Sequence, residues 1–132
     1  MRSLIVEDDL TSRVRLQEYL KPCGTVQVAA DGNEAVEAVR QALKADQPYD
    51  VIFLDIMMPG MDGHQALRHI RALETEAGVW PSYAVKIVMT TTLLNDSQSA
   101  GAAYGSLCDA YLAKPIDKTK LLAKLREMIL LK

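Results

Sequence analysis

Apolar residues along the chain fall into two alternating kinds of segment. Short apolar runs bounded by turn residues predict strands at residues 3–6, 26–29, 50–55, 85–89 and 110–113. Longer segments with apolar residues three and four positions apart predict helices at residues 10–22, 33–45, 63–77, 95–104 and 117–131. This alternation predicts an α/β protein in which a five-stranded parallel sheet carries five helices distributed over both faces, a three-layer sandwich.

Two of the predicted strands differ in their patterns. The run Val51-Ile52-Phe53-Leu54 is continuously apolar, which is typical of a central strand buried on both faces. The segment Val26-Gln27-Val28-Ala29 alternates, which is typical of a half-exposed edge strand. The central run leads directly into Asp55 and then into a turn rich in Pro and Gly. An unpaired buried carboxylate is costly, so Asp55 is difficult to explain as core packing.

Size and composition limit the classes of function. The 132 residues suit one domain spanning 1–132, and a formal net charge of −2 without a basic block argues against nucleic-acid binding by this chain. No apolar run approaches the roughly 20 residues of a membrane span, and acidic residues follow the first short run too soon for a signal peptide. Cys23 and Cys108 are predicted to be reduced thiols. We therefore expect a cytoplasmic protein without membrane association.

Polar residues follow four of the predicted strands. They are Asp8 and Asp9 after the first strand, Asp55 after the third, Thr90 after the fourth and Lys114 after the fifth. Parallel strands bring these ends to one edge of the sheet, where three carboxylates would repel each other strongly. A bound Mg²⁺ would compensate this charge, since it takes oxygen ligands from one or two carboxylates and keeps waters for a phosphate. The set predicts phosphoryl transfer onto Asp55, because carboxylates act as nucleophiles in forming aspartyl phosphates.

Each of these residues also has a simpler interpretation. Asp8 or Asp9 could cap the first helix, and Asp62 is best explained as the cap of the third. Thr90 could be one of several threonines that end a strand, and Lys114 could be a surface lysine. The agreement of these four strand ends, rather than any single residue, favours the phosphoryl-transfer interpretation.

Three motifs resemble the receiver domain of two-component response regulators. They are Glu7-Asp8-Asp9, the segment from Asp55 through Pro59 to Gly63, and Tyr111-Leu112-Ala113-Lys114-Pro115. The resemblance covers essentially the whole chain and implies the CheY-like strand order 2-1-3-4-5, a topology that the flavodoxin-like fold class shares. It also implies a phosphorylation-dependent switch of a phosphorelay that catalyses only its own phosphorylation and dephosphorylation and is not otherwise an enzyme.

The resemblance implies a role for each matching residue. Asp55 would accept the phosphoryl group from a phosphohistidine on a sensor histidine kinase or a histidine phosphotransfer protein. Asp9, Asp55 and the backbone carbonyl of Met57 would bind Mg²⁺ directly, and Asp8 would act through a water. Lys114 would contact the phosphoryl oxygens.

Further implied roles concern switching and output. Thr90 would move toward the phosphoryl group and Tyr111 would rotate inward behind it, while Met57 and Thr92 would flank the site. The Lys114–Pro115 bond would be cis. A downstream protein target would bind the helix at 95–104, the fifth strand and the last helix. The helix at 95–104 is small and polar, so we expect it to be loosely held before phosphorylation.

Other functions fit the sequence less well. A haloacid dehalogenase-type phosphatase needs a second aspartate two residues after the nucleophile, where this chain has Met57. A flavodoxin-like FMN binder needs a phosphate-binding loop after the first strand, where acidic residues would repel phosphate. The alternative that stays open is a receiver-fold docking module that acts without phosphorylation.

Overall fold

The computed structural model describes residues 1–92 and 107–128. Within these ranges the strands are β1 (Arg2–Val6), β2 (Thr25–Ala29), β3 (Val51–Asp55), β4 (Lys86–Thr91) and β5 (Ala110–Ala113). The α-helices are α1 (Leu10–Leu20), α2 (Gly32–Lys44), α3 (Gly63–Glu76) and α4 (Lys118–Glu127), with 3₁₀ turns at Lys21–Cys23 and Pro81–Tyr83. The helix predicted at 95–104 lies outside the described residues, as does the end of the helix predicted at 117–131.

The described strands form one parallel sheet in the order β2-β1-β3-β4-β5. The predicted fold class and strand order are thereby confirmed. β3 lies in the middle and is buried along its whole length, whereas β2 lies at the edge with most of its residues exposed or half-buried. The continuous and alternating patterns of these two strands therefore indicated their positions correctly.

Each described α-helix begins at an aspartate. The side chains of Asp9, Asp31, Asp62 and Asp117 each accept a hydrogen bond from the backbone N–H three residues later. Such N-caps satisfy a backbone donor that has no partner within the helix. The cap predicted for Asp62 is confirmed, and Gln65 completes a capping box there.

Two hydrophobic cores lie on opposite faces of the sheet. Because successive strand residues point to opposite faces, Leu4 and Val6 pack toward α2 and α3, whereas Ile5 packs toward α1 and α4. Val36, Val39, Leu67 and Ile70 belong to the first core, and Leu16, Leu20, Leu121 and Leu125 belong to the second. Burial on both faces holds the strand ends in fixed relative positions.

No helix in residues 1–92 and 107–128 has both the length and the apolar character needed to cross a membrane.

Candidate functional site

The carboxyl ends of β1, β3 and β5 bring charged side chains together. Asp55 is the last residue of β3, and Lys114 directly follows β5. Glu7 directly follows β1, and its N–H donates to the carbonyl of Ala29, so the chain is still extended there. Val6 pairs with Leu54 in the sheet. Glu7 is the residue after Val6, and it therefore lies beside Asp55. Glu7 is only 1% exposed and Asp55 only 3%.

Glu7, Asp8 and Asp55 can together hold a metal ion. One carboxylate oxygen from each lies within 4.8 Å of the others. The group lines a cleft of about 290 Å³ whose walls also include Asp9, Ser12, Met57, Thr92 and Lys114. Three carboxylates at such separations repel one another unless a cation compensates them. Their hard oxygen donors, with a cleft open to water, suit Mg²⁺.

Lys114 supplies a positive charge that contacts both Glu7 and Asp55. Its Nζ lies 3.3 Å from Oδ2 of Asp55 and donates a hydrogen bond to Glu7. Burial acts to lower the pKa of Lys114, but the hydrogen bond to Glu7 and the charge of Asp55 outweigh it, so the pKa is raised. Burial raises the pKa of Glu7, and its contact with Asp55 adds to this while Lys114 opposes it. Lys114 is therefore held in its cationic form. It is not the ordinary surface lysine that the simpler interpretation of the sequence suggested.

The position of Asp9 differs from the predicted one. Its exposed carboxylate accepts a hydrogen bond of 2.9 Å from the backbone N–H of Ser12, which lowers the pKa of Asp9. Of the two residues proposed as caps of the first helix, Asp9 is the one that caps it. Glu7, not Asp9, joins the carboxylate group with Asp8 and Asp55. The sequence did carry a signal for Glu7, because it directly follows an apolar strand as Lys114 does.

Thr90 and Tyr111, the two predicted switch residues, lie outside the lining of the cleft. Thr90 pairs with Asp55 in the sheet and is 1% exposed, and its carbonyl accepts the N–H of Ile56. The Tyr111 hydroxyl is buried, and burial together with the neighbouring Cys108 thiol raises the pKa of Tyr111 to about 12. Within the described part of the chain, neither residue lines the cleft, whereas Met57 and Thr92 both do.

The backbone holds two of the site residues in place. The Lys114–Pro115 bond is cis, as predicted, and the N–H of Lys114 donates to the carbonyl of Thr91 over 2.8 Å. After β3 the chain turns tightly into α3, and a Cβ on Gly63 would lie only 2.4 Å from the carbonyl oxygen of Asp55. Glycine is therefore required where α3 begins. In the same turn, the backbone N–H of Met57 donates a hydrogen bond of 3.2 Å to Oδ1 of Asp55.

Comparison with known proteins shows the family. Residues 3–126 match the model of the response regulator receiver domain. The two-component response regulator ORR41 of rice (Oryza sativa subsp. japonica) is 34% identical over 129 residues, which cover 96% of this chain and 94% of the rice protein. The chain therefore belongs to the response regulator receiver family, the signalling domains of two-component phosphorelays. The family predicted from the sequence is confirmed.

Two solved structures are similar over nearly the whole chain. The receiver domain of the histidine kinase CKI1 from Arabidopsis thaliana, complexed with Mg²⁺ and BeF₃⁻, is 31% identical with a TM-score of 0.79 over 97% of this chain and 89% of that one. The receiver domain of Ssk1 from Saccharomyces cerevisiae, in complex with the histidine phosphotransfer protein Ypd1, is 28% identical. Its TM-score is 0.79, and the match covers 96% of this chain and 87% of that one. Some relatives are much longer, and the chain spans 12% of the rice histidine kinases that it matches.

Proposed function

We propose that the chain is a phosphorylation-dependent switch in which Asp55 accepts a phosphoryl group. The observation that carries this proposal is the arrangement around Asp55, in which Nζ of Lys114 lies 3.3 Å from its carboxylate and the carboxylates of Glu7 and Asp8 lie close enough to share a metal ion with it. A carboxylate that only stabilises the fold needs one cation as a partner. Here three carboxylates line one cleft with a single ammonium group among the described residues, that of Lys114, so negative charge is left uncompensated. Belonging to the receiver family supports the same assignment.

The carboxylates are assigned different tasks in binding the metal. Asp8, Asp55 and the backbone carbonyl of Met57 would hold Mg²⁺, and Glu7 would act on it through a water while it keeps Lys114 in place. This revises the ligand set predicted from the sequence, in which Asp9 was a direct ligand. When bound, Mg²⁺ supplies positive charge next to the oxygens of the phosphoryl group.

The chemical step is a transfer between the partner's histidine and Asp55. A carboxylate oxygen of Asp55 forms a bond to phosphorus as the bond from phosphorus to the histidine nitrogen breaks, and the imidazole leaves. Lys114 places its ammonium beside the oxygens that carry the transferred charge, where such a group lowers the barrier most.

The assignment of Asp55 as phosphoryl acceptor also suggests which protein donates the phosphoryl group and which surface binds the downstream target. The donor is a phosphohistidine on a sensor histidine kinase or a histidine phosphotransfer protein, as the complex of Ssk1 with Ypd1 illustrates for a relative. Thr90, which pairs with Asp55 in the sheet, and Tyr111 would respond to the phosphoryl group. The downstream target would bind β5 and α4 together with residues 95–104.

The test is the intact mass of the protein after incubation with acetyl phosphate and Mg²⁺, beside the variant Asp55→Asn. We expect one added phosphoryl group that is absent in the variant and absent when EDTA removes Mg²⁺. An adduct that persists in Asp55→Asn would contradict the assigned nucleophile. If neither acetyl phosphate nor beryllofluoride modifies the folded wild type, the docking module that acts without phosphorylation becomes the better explanation.

A further inference from the structure

A second groove lies at the opposite edge of the sheet from the phosphorylation cleft. It has a volume of about 330 Å³ and lies between the carboxyl ends of α2 and α3 and the segment that leads into β4. Its walls are Leu43, Asp46, Pro48, Glu74, Ala77, Gly78, Val79, Trp80, Tyr83 and Val85. None of these residues lines the phosphorylation cleft. The groove is therefore a separate feature of the surface.

Two aromatic side chains beside this groove are unusually exposed. Trp80 is 72% exposed and Tyr83 is 82%, the highest values among the large apolar side chains that the structure describes. Trp80 directly precedes the 3₁₀ turn Pro81–Tyr83, and Tyr83 is the last residue of that turn. Exposed aromatic residues beside an apolar groove are characteristic of protein-binding sites, where Trp and Tyr contribute much of the affinity.

The carboxyl ends of two helices lie beside the groove. α2 ends at Lys44 and α3 ends at Glu76, so the negative ends of two helix dipoles point toward this edge, and Lys44 offsets the dipole of α2. Asp46 places a carboxylate in the groove wall just beyond the end of α2. The structure describes no lysine or arginine among the lining residues, and Glu74 is already occupied by Arg71 and the N–H of Val85.

The Asp46 carboxylate lies where the helix dipole disfavours a negative charge. Its φ is 55°, a left-handed conformation that aspartate adopts more readily than most other residues. A carboxylate just past a helix carboxyl end is repelled by the helix dipole. Within the described ranges, the Asp46 carboxylate has no hydrogen bond or ion pair that would offset this cost, so its oxygens are available to a ligand.

We propose that this groove binds an arginine side chain on an extended segment of a partner protein. The guanidinium would pair with the Asp46 carboxylate and lie over the ring of Trp80, because arginine combines planar hydrogen bonding with stacking on aromatic faces. Apolar residues beside the arginine would contact Val79, Pro48 and Tyr83. The Asp46 carboxylate in the groove wall favours a cationic peptide over nucleic acid or anionic lipid as the ligand.

The chain has a built-in probe for this site, because Trp80 is its only tryptophan. The ligands to use are pools of acetylated, amidated hexapeptides with a central arginine and randomised apolar neighbours, beside matched pools with citrulline or glutamate in the central position. We expect the arginine pool to change Trp80 fluorescence in a saturable way and to bind about tenfold more tightly than the citrulline pool.

Two charge-neutralising variants separate the proposed contact from general electrostatics. Asp46→Asn keeps a residue that tolerates the left-handed conformation and should weaken arginine binding about fivefold or more. Glu76→Gln removes the same charge from the end of α3 outside the groove lining and should leave binding unchanged. Asp55→Asn should also bind normally, so failure of phosphorylation and failure of this proposal are distinguishable.

Several results would overturn the proposal. They are equal binding of the arginine and citrulline pools, unchanged binding in Asp46→Asn, and no response of Trp80 to any pool. Self-association in sedimentation that Trp80→Ser abolishes would also overturn it, since the groove would then cover a second copy of this chain.

Discussion

Two clusters of charged side chains lie at opposite edges of the same sheet and are built differently. At the carboxyl edge, Glu7 and Asp55, which group with Asp8, both contact Lys114, the one cation that pairs with them in residues 1–92 and 107–128. Glu7 and Asp55 each also accept one backbone N–H, over 3.2 Å in both cases. Negative charge therefore exceeds positive charge at this edge, and hydrogen-bonding capacity is left over.

The cluster at the amino edge is almost fully paired. Arg71 donates to Glu74 over 2.7 Å, to Asp109 over 3.2 Å and to the carbonyl of Val85 over 2.8 Å. In turn, Glu74 accepts the N–H of Val85 and Asp109 accepts the N–H of Ile87, each over 2.8 Å. This cluster ties α3 to the start of β4 and to the segment before β5.

The difference shows how to distinguish structural from functional ion clusters. Buried charges that use their hydrogen bonds on the backbone stabilise a particular arrangement of elements. Carboxylates that repel one another and keep free lone pairs destabilise the fold locally, and such an arrangement suits a site that receives a metal and a phosphoryl group. Three substitutions test this comparison, beginning with the largest expected effect.

The first prediction concerns the amino-edge cluster. Arg71→Leu leaves Glu74, which is only 8% exposed, as an uncompensated buried charge, so the free energy of unfolding should fall by about 3 kcal/mol. The measurement is urea denaturation monitored by circular dichroism. Arg40→Leu is the matched control, because Arg40 pairs with Glu37 at the same spacing on an exposed helix face, and it should cost about 0.5 kcal/mol or less. Equal losses in the two variants would show that the cluster has no special structural role.

The second prediction concerns the cation at the carboxyl edge. Lys114→Ala should slow phosphorylation of Asp55 by acetyl phosphate by about 100-fold, because it removes a charge that stabilises the transferred group. Phosphorylation rates come from intact mass at timed intervals. Lys86→Ala is the control, since Lys86 lies 3.9 Å from Asp109 at the opposite edge and should leave the rate unchanged. A similar rate in Lys114→Ala and wild type would remove Lys114 from the reaction.

The third and smallest expected effect is on the pH dependence of stability without metal. The pKa of Glu7 is raised above 4.5 in the folded protein, so the folded state binds more protons than the unfolded state just above that pH. Stability from this group therefore falls as pH rises from 4.5 through the raised pKa. Glu7→Gln should flatten that slope in urea denaturation series with EDTA.

Asp9 and Lys114 titrate outside this window. The pKa of Asp9 is lowered from 3.8, so its contribution to stability is lost only at lower pH. The pKa of Lys114 is raised from 10.5, so its contribution is lost only at much higher pH. Identical slopes in wild type and Glu7→Gln would show that Glu7 is not held in a repulsive group.

The sequence was sufficient for the fold and for most of the candidate site. The buried run before Asp55 and the alternating run in β2 indicated which strand is central and which is at the edge. Asp8, Asp55 and Lys114 were predicted to meet because parallel strands end at one edge. In the structure these three residues line the same cleft. Their roles in Mg²⁺ binding and phosphoryl transfer stay predictions.

The position of Asp9 was not predictable in the same way. Residues 7 to 9 are all acidic, so composition does not distinguish a cap from a ligand. The distinction depends on where β1 ends relative to β3, and pairing of Val6 with Leu54 places Glu7 rather than Asp9 beside Asp55.

By itself, the sequence determined the order of elements, the central and edge strands and the strand ends where chemistry is expected, because burial patterns repeat with the period of each element. Only the tertiary structure decided which acidic residue joins Asp55, and it alone joined Arg71 to Asp109, 38 residues further along the chain. It also placed the ends of α2 and α3 beside Trp80. These features depend on contacts between distant segments, whose distances and register no local pattern specifies.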